Sequence, residues 1–269
     1  SPYYAWRGRA DPEDHCSINV ALYGRPGRWT MTERGAGGVS RDASEFRVGP
    51  SRMTWDGRAF SVEIDETAVP HLAPVRGTVR VIPQALTDYE ARLDAGGHHR
   101  WRPFAPLSRI EVDLERPRMS WRGHGYLDGN FGARGLEEDF VHWNWSRARV
   151  GDRARIFYEA DRRDGTHLAL DLRAHPDGRV EELTDEAPPL VDLPGTLWGV
   201  RRRTRSEGGA RVLRRLEDAP FYARAMLETE LEGERAEVVH ESLDLDRFSR
   251  RWVKALLPWR MPRATWWGG

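Results

Sequence analysis

The strongest constraint on the fold is a period-two alternation of apolar and polar residues, repeated along the chain and interrupted by Asp-Gly turns. Residues 58–65 place Phe60, Val62 and Ile64 on one face. Residues 109–114 do the same with Ile110, Val112 and Leu114, and 155–159, 167–173 and 236–240 are similar. Alternation over about five to eight residues predicts half-buried strands. Between these stretches lie Trp55-Asp56-Gly57-Arg58, Asp94-Ala95-Gly96-Gly97, Arg163-Asp164-Gly165 and Pro176-Asp177-Gly178, which predict hairpin turns. Strand patterns do not alternate with long helical ones, which argues against a doubly wound α/β fold. The expected class is all-β, a sandwich or barrel of short strands. Residues 220–230 fit a short helix or an irregular strand. The clearest helix is 244–258, where Leu245, Phe248, Trp252 and Leu256 recur at helical spacing until Pro258 and Pro262 end it.

Composition narrows the function. The 269 residues carry 42 Lys+Arg and 42 Asp+Glu, so the net charge is zero and no basic excess marks a nucleic-acid binder. Twelve tryptophans separate the chain from disordered sequences, which are poor in aromatics. No apolar run approaches the roughly 20 residues of a membrane span. Cys16 is the single cysteine, which excludes an internal disulfide and a four-sulfur zinc site. Lys254 is the single lysine and so the single side chain open to Schiff-base chemistry. No phosphate-binding loop, dinucleotide fingerprint, HExxH or nucleophile elbow is present, so neither cofactor nor metal is expected.

Two segments concentrate polar and aromatic residues. The first is Trp121-Arg-Gly-His-Gly-Tyr-Leu-Asp-Gly-Asn-Phe-Gly132. On a strand its Tyr126 and Asp128 share a face, and Gly125, Gly129 and Gly132 allow bends or close approach. The second is Phe140-Val-His-Trp-Asn-Trp-Ser-Arg147, followed by Phe157-Tyr-Glu-Ala-Asp161. There His142 and Asn144 share one face, and Trp143 and Trp145 the other. Local pattern alone also fits plainer roles: Asp128 beside Gly-Asn as a turn residue, and the tryptophans as core. His98 and His99 fall in a Gly-rich turn and are expected to be exposed. His15 and Cys16 are strand neighbours that point apart, so they make a weak nucleophile pair.

Taken together and in order, several stretches resemble the bacterial carotenoid 1,2-hydratases, also called hydroxyneurosporene synthases. They are Ser1-Pro-Tyr-Tyr-Ala-Trp6, Asp14-His-Cys-Ser-Ile-Asn-Val-Ala-Leu-Tyr-Gly24, Trp29-Thr-Met-Thr-Glu-Arg-Gly35, Gly125-Tyr-Leu-Asp-Gly-Asn130, Trp143-Asn-Trp-Ser-Arg147 and Pro220-Phe-Tyr-Ala-Arg224. The resemblance runs nearly the full chain. Members usually carry sequence before the Ser-Pro-Tyr-Tyr stretch, so a preceding segment is expected here.

The resemblance implies two lipocalin-like β-barrel or half-barrel units with a short C-terminal helix. On that basis we expect units at 1–135 and 136–243 and a basic, aromatic tail at 244–269. It also implies cofactor-free addition of water across the terminal C1–C2 double bond of an acyclic carotene. Such a reaction needs a strong Brønsted acid, π faces for a tertiary cation and one held water. Asp128 or Asp161 is the candidate acid, with His142 or Tyr126 tuning it or positioning water. Trp143, Trp145 and Tyr158 are the candidate cation-facing rings, with Asn130 and Trp121 as further substrate contacts. A long polyene resides in bilayers, so the tail from Arg247 through Trp266-Trp267 is expected either to lie at a membrane interface or to close the barrel. Two rivals share the same residues: a lipocalin-like cyclase or isomerase, and a carrier of hydrophobic ligands.

Overall fold

The computed structural model describes residues 1–8 and 11–264, and the Trp266-Trp267 pair lies outside them. Contacts divide the chain into two compact units. The first comprises Ser1–Pro83, Ser108–Gly125 and Lys254–Gly269, and the second Gln84–Leu107 and Tyr126–Val253. Each unit is therefore assembled from segments distant in sequence.

The first unit opens with a short helix, α1 (Pro2–Arg7), and a hairpin of β1 (Val20–Leu22) and β2 (Arg28–Thr30). A meander follows through β3 (Val39–Arg41), β4 (Glu45–Val48), β5 (Ser51–Trp55), β6 (Phe60–Ala68) and β7 (Ala73–Pro83). The sheet has the order β10-β9-β7-β6-β5-β4-β3, and of its long strands β9 (His99–Arg116) and β10 (Met119–Gly132) the first unit holds residues 108–116 and 119–125; β8 (Ala91–Arg92), in the second unit, pairs with the start of β9 at Arg100 and Trp101. The expected alternation holds along β6, where Ile64, Glu66 and Ala68 are buried. Ile64 and Ala68 pack with Val75, Val112 and Leu114. The same periodicity carries Glu66 inward, where the Ser51 hydroxyl donates to it at 2.7 Å and Arg34 pairs with it at 2.9 Å.

The second unit is built on a seven-stranded antiparallel sheet. Its strands are β11 (Phe140–Val150), β12 (Arg153–Arg162), β13 (His167–Ala174), β14 (Val180–Glu182), β17 (Arg211–Asp218), β18 (Tyr222–Leu231) and β19 (Glu234–Asp244), in the order β14-β13-β12-β11-β19-β18-β17. The segment between β14 and β17 contributes a separate two-stranded hairpin of β15 (Leu190–Asp192) and β16 (Arg203–Arg205). The chain is all-β with a few short helices, as expected. Among the described residues neither large sheet closes on itself, so both are open rather than barrels. Within residues 220–230 the chain forms a strand from Tyr222 onward, not a helix. Ala223, Ala225, Leu227, Thr229 and Leu231 are all buried, a period of two that decides for the sheet.

The predicted C-terminal helix is present but broken. Asp244 caps α3 (Leu245–Phe248) by accepting from the Arg247 amide at 2.9 Å, and α4 (Arg251–Leu256) follows after Ser249-Arg250. The break rotates the apolar face. Leu245 and Val253 are buried and Phe248 packs on Phe221, whereas Trp252 and Leu256 are exposed. No helix among the described residues is long and apolar enough to cross a membrane.

Candidate active site

Register on the second sheet separates the candidate residues. On β11, Trp143 and Trp145 lie opposite Ala160 and Tyr158 of β12 and opposite Leu243 and Glu241 of β19. His142 and Asn144 lie opposite Asp161 and Glu159. Side chains alternate across a sheet, so these are two faces with different chemistry.

The face of Trp143 and Trp145 meets Trp101 of β9 and Tyr126 and Asp128 of β10. The Trp101 indole N–H donates to Asp128 Oδ2 at 2.8 Å, and the Tyr126 hydroxyl donates to the same oxygen at 3.2 Å. Ring contacts extend outward from the carboxyl. Trp101 tilts against Tyr158 at 5.3 Å, Trp143 meets Tyr158 edge-on at 5.7 Å, and Tyr126 tilts against Trp145 at 5.3 Å. The Arg147 guanidinium lies 5.1 Å from the centre of the Tyr126 ring. Phe140, Ile156, Leu172 and Leu245 form the buried apolar surround.

Electrostatics follow from this setting. Burial pushes the Asp128 carboxyl above the usual carboxylate range. The Trp101 and Tyr126 donors and the charge of Arg224 act against that shift. Arg224 is itself held by Glu241 at 2.5 Å, and among the described residues no ion pair reaches Asp128. Burial also pushes the Tyr158 and Tyr126 phenols up, so both remain neutral donors. The Tyr158 hydroxyl is buried and has no hydrogen-bond partner among the described residues. A polar atom so placed is a ready site for a bound water or a polar substrate group.

The opposite face is polar and ion-paired. Asp161 is 45% exposed and binds His167 Nδ1 at 2.9 Å, with Arg203 at 3.8 Å. The His142 Nε2 lies 2.9 Å from the Arg201 carbonyl oxygen, and burial lowers its pKa against the opposing pull of that carbonyl and of the Asp161 and Asp244 charges. The structure thus brings Tyr126, Asp128, Trp143, Trp145 and Tyr158 together, and sets His142 and Asp161 apart from them. Asn130 is exposed, and Trp121, in the first unit, is exposed too.

Two residues of this region escaped the sequence reading. Trp101 is fully buried, though flanked by Arg100 and Arg102. His99, expected to be exposed, is buried two positions before it on the same strand. The Asp94 carboxylate accepts from the His98 and His99 amides at 3.1 and 2.7 Å, closing the turn and directing His99 inward. There His99 Nε2 meets Asp139 at 2.8 Å, and Arg134 clamps that carboxylate. Arg134 first, then His99, lowers the Asp139 pKa to about 2. The glycines of β10 admit these neighbours: a Cβ at Gly129 would meet Phe104 at 2.7 Å, and one at Gly132 would meet His99 at 2.9 Å. Asp94, His98 and Asp139 present oxygen and nitrogen atoms within 4.8 Å of one another, yet Arg134 already supplies positive charge to Asp139.

Comparison with known proteins decides the family. The family model described as "Carotenoid hydratase CrtC" matches residues 1–268. The chain belongs to the CrtC carotenoid hydratase family. An acyclic carotenoid 1,2-hydratase of Thiocapsa roseopersicina is 49% identical over 270 residues, covering 98% of this chain and 66% of that protein. The chain therefore spans just under two thirds of that relative's length. The acyclic carotenoid 1,2-hydratase of Rhodobacter capsulatus is 45% identical over 270 residues, covering 99% of this chain and 95% of that protein. Among solved structures, an AttH-type protein of Nitrosomonas europaea superposes with a TM-score of 0.54 at 12% identity, covering 77% of this chain and 72% of that one. That likeness concerns the fold, which is lipocalin-like.

Proposed function

We propose that this CrtC-family chain hydrates the terminal C1–C2 double bond of an acyclic carotene such as neurosporene or lycopene, with Asp128 as the acid. The observation that carries the assignment is a partly buried carboxyl group among aromatic rings whose side-chain hydrogen-bond donors, Trp101 and Tyr126, are both neutral. The curated relatives named acyclic carotenoid 1,2-hydratase support the substrate class.

The chemistry follows from charge. An isolated trisubstituted alkene is a weak base and requires a strong, positioned acid. Desolvation keeps a carboxyl protonated, while the Trp101 and Tyr126 donors stabilise the carboxylate left after transfer. The Asp128 proton moves to C2, and the π pair becomes the C2–H bond, leaving a tertiary cation at C1. The faces of Trp143, Trp145 and Tyr158 stabilise that cation without trapping it as an oxygen nucleophile would. A water held by the Tyr158 hydroxyl adds to C1. The resulting oxonium returns one proton to the Asp128 carboxylate, so the acid is restored and the sum is alkene plus water. No electrons are gained or lost, and no redox cofactor is required. The polyene partitions into bilayers, so the chain works as a peripheral visitor to the membrane surface.

The test is incubation of the chain with detergent-dispersed lycopene or neurosporene in water enriched in heavy oxygen. The expected product carries one labelled hydroxyl at C1. In the Asp128→Asn variant carotene still binds and no alcohol forms. An equal rate from that variant would defeat the assignment, and binding without turnover by the parent chain would favour the carrier reading.

A further inference from the structure

The second unit also carries a surface that the hydration chemistry leaves unused. In the loop at 194–200, Leu197 is 82% exposed and Trp198 is 42% exposed, and Trp252 of α4 is 45% exposed beside them. The two indole rings lie 6.3 Å apart at 33°. The loop is held firmly: the Leu197 amide donates to Asp218 at 2.7 Å, the Val200 amide donates to Thr196 at 2.9 Å, and Arg247 donates to the Trp198 carbonyl. An apolar ledge fixed in water by its own backbone bonds is unfavourable unless something covers it.

The chemistry of the cover is written in the adjacent cavity of about 290 Å³, whose walls include Arg201, Arg203, Arg247 and Arg250. Its carboxylates are already engaged. Asp161 pairs with His167 at 2.9 Å and Arg203 at 3.8 Å, Asp244 with Arg247 at 3.3 Å, and Asp246 with Arg163 at 2.9 Å. His142 lies in the wall, its pKa lowered by burial. The Arg201 and Arg250 guanidiniums are exposed and have no carboxylate partner among the described residues. Guanidinium forks are suited to phosphate oxygens, and indoles to the headgroup level of a bilayer.

We propose that Leu197, Trp198 and Trp252 insert at the surface of an anionic bilayer while Arg201 and Arg250 hold a lipid phosphate in the neighbouring cavity. This rests on the reading of the substrate as a membrane polyene, and it names the face that meets the membrane. The surface lies on the polar side of the second sheet, away from the Asp128 chamber, so anchoring and proton transfer are separable.

Co-sedimentation of the full chain with vesicles tests it, using phosphatidylcholine alone and an equal mixture with phosphatidylglycerol. The parent chain binds the anionic vesicles more tightly. Arg201→Gln with Arg250→Gln lowers that binding about thirtyfold, at about 1 kcal/mol for each arginine, and lowers binding to phosphatidylcholine, whose phosphate charge is balanced by its own choline, by less. Trp198→Ser with Trp252→Ser weakens binding to both vesicle types. Hydration of detergent-dispersed lycopene stays unchanged in all these variants, so loss of the hydratase reading would show in the parent chain and not in the vesicle series. Unchanged sedimentation in every variant, or no vesicle binding by the parent, overturns the proposal. Displacement by inorganic phosphate beyond that by chloride at equal ionic strength would also overturn it, making the cavity a site for free phosphate.

Discussion

Glu33 in the first unit is a fully buried carboxyl and Asp128 in the second a partly buried one, and their partners make them opposites. Glu33 is fully buried and meets Arg263, His15 Nδ1 at 2.9 Å and the Ser1 hydroxyl. Arg263 also reaches the Asp14 carbonyl oxygen at 2.8 Å and its carboxylate at 3.0 Å, so the cluster ties distant parts of the first unit together. Among the described residues, the side chains that donate to Asp128 are an indole and a phenol. Glu66 is intermediate: burial raises its pKa while Arg34 and Ser51 oppose the rise. A guanidinium at contact makes a buried carboxylate a structural anion. Neutral donors in an apolar chamber leave a carboxyl able to keep its proton and to part with it when a base arrives.

The comparison breaks first at activity. Asp128→Asn retains an acceptor for Trp101 and Tyr126 but has no proton to give, so turnover should fall by about 10²–10⁴. Its melting temperature should stay level or rise, because a buried ionisable group has been removed. Arg263→Ala inverts that pattern. It leaves Glu33 buried without its cation, and unfolding in urea should register a loss of about 3–5 kcal/mol.

Tyr126→Phe sharpens the contrast. It removes a donor that favours ionised Asp128, so the Asp128 pKa should rise. Activity requires the protonated acid and falls as pH climbs through that pKa, so the alkaline limb of the pH–rate profile should move to higher pH. The rate on the plateau should drop about tenfold, the value of one hydrogen bond to a charged group. The smallest effect concerns Asp139. Its lowered pKa contributes stability that is complete above the ordinary carboxyl range and is lost as pH falls toward about 2. Asp139→Asn should flatten the melting temperature over that acid window, and an unchanged slope would remove the Arg134–Asp139–His99 cluster from the explanation.

Much of this was legible because hairpin signals are local. The turn aspartates act within a few residues: Asp56 accepts from the Arg58 and Ala59 amides, Asp164 from that of Thr166 and Asp177 from that of Arg179. Period two likewise put Tyr126 with Asp128 and Trp143 with Trp145. Trp101 could not be found that way. Its partner is 27 positions away on β10, and its charged neighbours suggest exposure. Nor could alternation rank Asp128 against Asp161, because it separates two faces of a sheet without telling which one another element covers. The assembly of the second unit from 84–107 and 126–253 is invisible for the same reason. The spacing along the tail predicts one amphipathic helix, and the Ser249 hydroxyl, bonded back to the Leu245 carbonyl at 2.8 Å, marks where that periodicity ends.

The most direct measurement is infrared difference spectroscopy of the chain titrated from acid to alkaline pH, with Asp128→Asn as the reference. If Asp128 is the proton donor, one protonated carboxyl stretch will persist above the ordinary carboxylic range of about pH 4, vanish in the variant, and titrate together with turnover of detergent-dispersed lycopene. A carboxyl already ionised at about pH 4, or one whose titration leaves turnover unchanged, would contradict the assignment of Asp128 as the acid.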